Sequence, residues 1–137
     1  MADKSNKNPL EELFTDSSNH INPSELLAIL KPFIGINRQN NKVIFTPEGL
    51  LLKPNKKIIL FLLSKKVLCL LGTVPSESVA PRDIKNEFSK NIPAGTVDVT
   101  IKRLSDTGLI KGEQAKYYIP DFNFPKIKEM FTSKSEE

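Results

Sequence analysis

His20 is the only histidine in the chain and Cys69 the only cysteine, so any His-assisted nucleophile or thiol-based site must be built on one of these two residues. Neither is set up for it. His20 lies among Asn19 and Asn22, in the composition of a polar loop, and Cys69 lies inside an apolar run, where a thiol reads as a small buried hydrophobe. Glu11 and Glu12 are adjacent acids, but just after Pro9 they fit the first turn of a helix better than paired-carboxylate catalysis. The spacings of zinc peptidases, dinucleotide sites, phosphate-binding loops and paired-cysteine metal sites do not occur. The expectation is a protein that is not an enzyme and uses no cofactor or metal.

The remaining chemistry is that of unevenly distributed charge. Formal charge is +4, and residues 1–53 carry six basic and six acidic side chains, which cancel. Residues 54–131 carry thirteen basic against eight acidic ones, so the positive excess belongs to the C-terminal part. Such an excess is a moderate electrostatic footprint for a polyanion, and an ordinary solvated basic surface would give the same arithmetic.

Those charges need elements to hold them. The chain has 137 residues, 39% hydrophobic and 26% charged, which is one folding unit with a real core. One cysteine and an N-terminus, MADKSNKNPL, without an apolar stretch imply a cytoplasmic protein with no signal peptide. The greasiest run, residues 58–71, is broken by Ser64, Lys65 and Lys66, which argues against a membrane span. Lys65 and Lys66 read as a solvated break in an otherwise buried helix.

Four segments follow along the chain: an arm over 1–8, an N-terminal part over 9–53, a main domain over 54–131 and a tail over 132–137, with arm and tail expected to be disordered. After a short helix over 9–14, Asn22-Pro23-Ser24-Glu25 opens a helix whose apolar face is Leu26, Leu27, Ile29 and Leu30. A hairpin follows, with β-prone runs at 33–36 and 43–46, and Pro47-Glu48-Gly49 reads as a tight turn. The strongest helix begins at Lys56 and ends at Leu71, before Gly72. It is apolar nearly all round, so it must be covered from two sides, by the rest of the chain or, on one side, by a second subunit in a homodimer. Beyond a loop over 73–79, Pro81 starts a helix over 82–90 with Ile84 and Phe88 on one face. Asn91-Ile92-Pro93 turns the chain into another helix that Gly108 stops, with Val97, Ile101 and Leu104 as its buried stripe. Strands at 109–111 and 116–119 flank a turn at 112–115, and Tyr117 and Tyr118 alternate, one toward the core and one outward. A last helix, 125–131, docks through Ile127, Met130 and Phe131.

This order of helices and hairpin, and above all the run PRDIKNEFSKNIPAGTVDVTIKRLSDTGLIKGEQAKYYIP, resembles the winged helix-turn-helix superfamily over about residues 55–131. The resemblance implies an α+β, mainly α fold: a winged helix-turn-helix domain with a short N-terminal helix-and-hairpin extension. It also implies a DNA-binding transcriptional regulator whose recognition helix, starting near Pro93, enters the major groove of double-stranded DNA while the hairpin lies along the backbone.

If Val97, Ile101 and Leu104 turn inward, the helical period turns Thr96, Asp98, Val99, Lys102 and Arg103 outward. Thr96, Asp98 and Val99 would then be presented to the groove, and Arg82, Lys85, Lys102, Arg103, Lys111 and Lys116 would anchor phosphates. A homodimer would double the contact. Asp98 and Val99 occupy outward positions where base-reading members commonly carry Arg, Lys, Asn, Gln or Ser, and the turn at 112–115 lacks an Arg for the minor groove. The alternative is therefore a winged-helix adaptor for a protein partner, with Asp98 and Val99 in its interface.

Overall fold

The computed structural model describes residues 22–132. The arm, the helix expected over 9–14, His20, Glu11, Glu12 and residues 133–137 lie outside the described residues. Asn22 caps the first described helix, α1 (Pro23–Leu30): its Oδ1 accepts from the backbone N–H groups of Ser24 at 2.8 Å and Glu25 at 3.4 Å, and Pro23 occupies the first turn, where its missing N–H costs nothing. Leu26, Ile29 and Leu30 are buried. Leu27, expected on the same face, falls about a quarter-turn outside that stripe and is exposed.

The hairpin forms as β1 (Ile34–Ile36) and β2 (Val43–Phe45), antiparallel with Ile34 opposite Phe45 and Ile36 opposite Val43. Asn37 Oδ1 accepts from the N–H groups of Gln39 and Asn40, and Asn41 takes the left-handed conformation with φ 60°. Pro47-Glu48-Gly49 is not a tight turn but part of a one-turn helix, α2 (Pro47–Leu50). The Thr46 hydroxyl explains the difference, since it accepts from Gly49 N–H at 3.1 Å and donates to Pro32 O at 2.9 Å, capping the turn and tying it back to the hairpin's start. A Cβ on Gly49 would collide with the Phe33 carbonyl oxygen, so this packing needs glycine.

α3 (Pro54–Leu70) is the central helix, and every residue from Lys57 to Ser64 is buried by the chain itself. It packs against α1 on one side and against α5 (Ala94–Asp106) on another. The homodimer seam expected along this helix is therefore not available over its middle; only Leu70 and, just beyond it, Leu71 remain well exposed. Two further expectations fail on this helix. Cys69 is half-buried rather than buried. Lys66 is no solvated break: it is 2% exposed, and its ammonium sits between Glu77 Oε1 at 2.7 Å and Asp121 Oδ1 at 2.5 Å.

Pro81 opens α4 (Pro81–Glu87), a turn shorter than the helix expected over 82–90, with Ile84 and, at its cap, Phe88 fully buried. Phe88 receives the edges or faces of two rings, Phe61 of α3 at 5.7 Å and Phe45 of β2 at 5.5 Å, so the N-terminal hairpin and the C-terminal helices share one core. Gly108, at φ 85°, ends α5 and leads to β3 (Lys111–Glu113) and β4 (Lys116–Tyr118). The turn is only Gln114-Ala115, both at positive φ, which is the two-residue form matching the twist of a hairpin rather than the four-residue turn expected. A 3-10 turn, Asp121–Asn123, then feeds α6 (Phe124–Thr132), which packs along α1 through Ile127, with Phe131 against Phe33 at 5.9 Å and Lys128 paired to Glu25 at 2.8 Å.

The fold is α+β and mainly helical, with two small antiparallel hairpins, among the described residues. No described helix is long and apolar enough to cross a membrane.

Candidate nucleic-acid interface

The candidate surface is the outer side of α5 and the hairpin after it. Val97, Ile101 and Leu104 are buried as the period requires, and Thr100 joins them, satisfied by donating to Thr96 O at 2.7 Å. That stripe fixes the rotation of the helix. Gly95, Thr96, Asp98, Val99, Lys102, Arg103 and Asp106 are all exposed.

The approach to α5 is set by its predecessor. After Phe88, the N–H groups of Asn91 and Ile92 both donate to Phe88 O at 2.8 Å, and buried Ile92 anchors the turn against the core. Pro93 caps α5 with no side-chain hydrogen bond. At the other end, the N–H of Leu109 donates to Leu104 O at 3.0 Å across Gly108, so the chain leaves α5 in a fixed direction.

That direction is held by a residue the sequence did not single out. Asn123 is buried, and its Nδ2 donates to Gly108 O at 2.5 Å and Leu109 O at 3.1 Å, satisfying carbonyls of the link between α5 and β3. No local pattern marks such an asparagine, because its partners lie about fifteen residues earlier. A second missed element is Val79, expected in a loop. It bridges Tyr117, each donating its N–H to the other's carbonyl at 2.8 Å, so a short extended piece before α4 lies beside β4. A β-branched residue just ahead of Ala80-Pro81, where extended backbone is favoured, was the available signal. Tyr117 also lies over Gly112, where an added Cβ would stand 2.9 Å from its ring, and both Tyr117 and Tyr118 are half-buried rather than one in and one out.

The charges divide into two sets. Lys85 of α4 pairs with Asp98 at 2.9 Å, and Lys102 pairs with Asp106 at 3.6 Å, one turn along the same helix. Asp98 is thus drawn toward α4 and off the centre of the outer face. Arg82, Arg103, Lys111 and Lys116 are exposed and have no carboxylate partner among the described residues, although Glu113 stands opposite Lys116 in the ladder. A shallow cleft of about 390 Å³ lies between α4, α5 and β4, lined by Pro81, Asp98, Ile101, Lys102, Ser105 and Tyr117 among others. It joins the start of α4 and one flank of α5 to β4, and of the expected site residues Asp98 and Lys102 line it.

Two carboxyls are pushed above their ordinary value of 4.5. Burial raises Glu77, the adjacent Lys66 ammonium opposes the rise, and Asp121 adds to it. Burial likewise raises Glu87, with Lys42 and Lys65 opposing. Both lie away from the outer face of α5 and support the scaffold. Among the described residues no group of three His, Cys, Asp or Glu side chains is gathered to hold a metal ion.

Comparison with protein-family models, with curated proteins and with solved structures gave no match to this chain.

Proposed function

We propose that residues 54–131 are a winged helix-turn-helix domain that binds double-stranded DNA, with α5 in the major groove and the β3–β4 hairpin against the backbone, and that the protein is a transcriptional regulator. The observation that carries this reading is the exposed outer flank of α5, accompanied by exposed cations on the preceding helix and the following hairpin that have no carboxylate partner among the described residues. The order α3, the bridging Val79, α4, α5, hairpin supports it, because it is the order in which that fold carries a recognition helix followed by a wing. Arg82, Arg103, Lys111 and Lys116 are the phosphate anchors of first rank. Lys85 and Lys102 are second, since each must leave or share an acid to reach a phosphate.

One observation favours the adaptor instead. The Lys85–Asp98 pair neutralises two charges at the very place where DNA would approach, and an exposed acid beside exposed Val99 would suit a protein partner. Duplex affinity across a salt series separates the two. For a DNA binder, log K falls linearly with log salt, and Arg103→Gln and Lys111→Gln each lower the slope by about one unit, whereas Lys85→Gln lowers it less. Asp98→Ala tightens binding, because it frees Lys85 and removes an acid from the groove side. Absence of duplex binding at about 50 mM salt, where phosphate contacts are strong, rejects the proposal.

A further inference from the structure

On α5 one large apolar side chain is left out of the core: Val99, 51% exposed. Neither packing nor helix formation explains it, since its faces meet no core and valine is a poorer helix former than alanine. Gly95, one turn earlier on the same face, is equally unexplained by the fold. An added Cβ there would meet nothing within 4 Å, and glycine weakens a helix. Together they leave a smooth, uncharged strip on the N-terminal half of the outer face, with Thr96 at its side and Arg103 one turn beyond Val99. The acids of that face are occupied, Asp98 by Lys85 at 2.9 Å and Asp106 by Lys102 at 3.6 Å, while Arg103 on the same helix, Arg82 on the preceding one and Lys111 and Lys116 on the following hairpin are exposed with no carboxylate partner among the described residues.

The partner that fits is a polyanion displaying a small apolar group at the depth a helix can reach. In duplex DNA that group is the C5-methyl of a pyrimidine in the major groove. Building on the DNA-binding reading, we infer that Val99 contacts the 5-methyl group of thymine, or the same group on 5-methylcytosine, with Gly95 letting the backbone approach the bases. Val99 is the specificity-determining residue of the surface, and the free cations supply affinity without sequence preference.

The test uses the full chain at one low salt concentration and two pairs of alternating duplexes: poly(dA-dT) against poly(dA-dU), and poly(dG-dC) against its 5-methylcytosine form. Each pair differs by one methyl group per pyrimidine, so no operator need be known. Loss of the thymine methyl is expected to weaken binding about four-fold, the effect of burying one such group, and methylation of cytosine to strengthen it by a similar factor. Val99→Ala, which improves helix propensity and truncates a side chain outside the core, is expected to bind both members of each pair alike. Equal wild-type affinity within both pairs, or a methyl preference that survives in Val99→Ala, overturns the inference while leaving DNA binding standing, and assigns the exposed valine to a protein contact. Failure to bind any of the four duplexes overturns the DNA-binding reading itself.

Discussion

Single residues decide whether charge in this molecule is structural or available. Lys66 shows the structural case. Its charge is buried, which is tolerable only with partners at contact distance, and Glu77 and Asp121 supply them from two different segments. Glu77 Oε1 contacts the ammonium without well-directed hydrogen-bond geometry, so the pairing only partly offsets its burial, and its carboxyl is raised above 4.5. A folded state that holds a proton more tightly than the unfolded chain gains stability on acidification. The Glu77 contribution is fully present below 4.5 and lost as pH rises through the raised value. Glu77→Gln, which keeps the shape and a hydrogen-bond acceptor, is therefore expected to be neutral or stabilising at pH 7, with less gain on acidification than the wild type; urea midpoints of both proteins at pH 7 and 5 check this. A variant that is strongly destabilised at pH 7 contradicts the account. In the sequence this triad was illegible, because a lysine beside another lysine in a broken apolar run looks solvated until the chain folds two acids over it.

At the scale of elements, α5 and the hairpin after it were legible because their signals are local: Val97, Ile101 and Leu104 repeat at helical spacing, and Gly108 stops the helix. The outward positions followed from that period alone. What was not legible is how the hairpin is aimed, since it depends on Asn123 and Val79, each bonded to a distant part of the chain. Lys85 meeting Asp98 was hidden for the same reason: the contact crosses from one helix to the next. Asn123→Ala leaves the carbonyls of Gly108 and Leu109 without their buried donor and is expected to cost about 2 kcal/mol. It should also loosen the hairpin relative to α5, so amide exchange at residues 109–118 accelerates more than exchange in α3. A uniform acceleration through the whole chain would show that Asn123 supports the core generally and does not aim the hairpin.

Among the described residues the buried side chains of the N-terminal and C-terminal parts form one cluster. Leu26, Ile29, Leu30, Ile34 and Val43 from the N-terminal part join the same buried cluster as Ile84, Val97, Ile101 and Ile127. The apolar breadth of α3 announced that it needed cover on two sides, but not that α1 supplies part of that cover. Cutting the chain to residues 54–131 would uncover Phe88 where Phe45 now packs, and Phe131 where Phe33 packs. Several large side chains exposed at once outweigh the marginal stability of a small domain, at about 1.5–3 kcal/mol for each fully buried one. The shortened chain is expected to lose its cooperative thermal transition and to bind a hydrophobic dye, whereas the full chain melts in one step. A shortened chain that melts cooperatively and binds duplex DNA as the full chain does would mean that the N-terminal part is an attachment after all, and that the contacts around Phe88 contribute little to holding α4 and α5 in place.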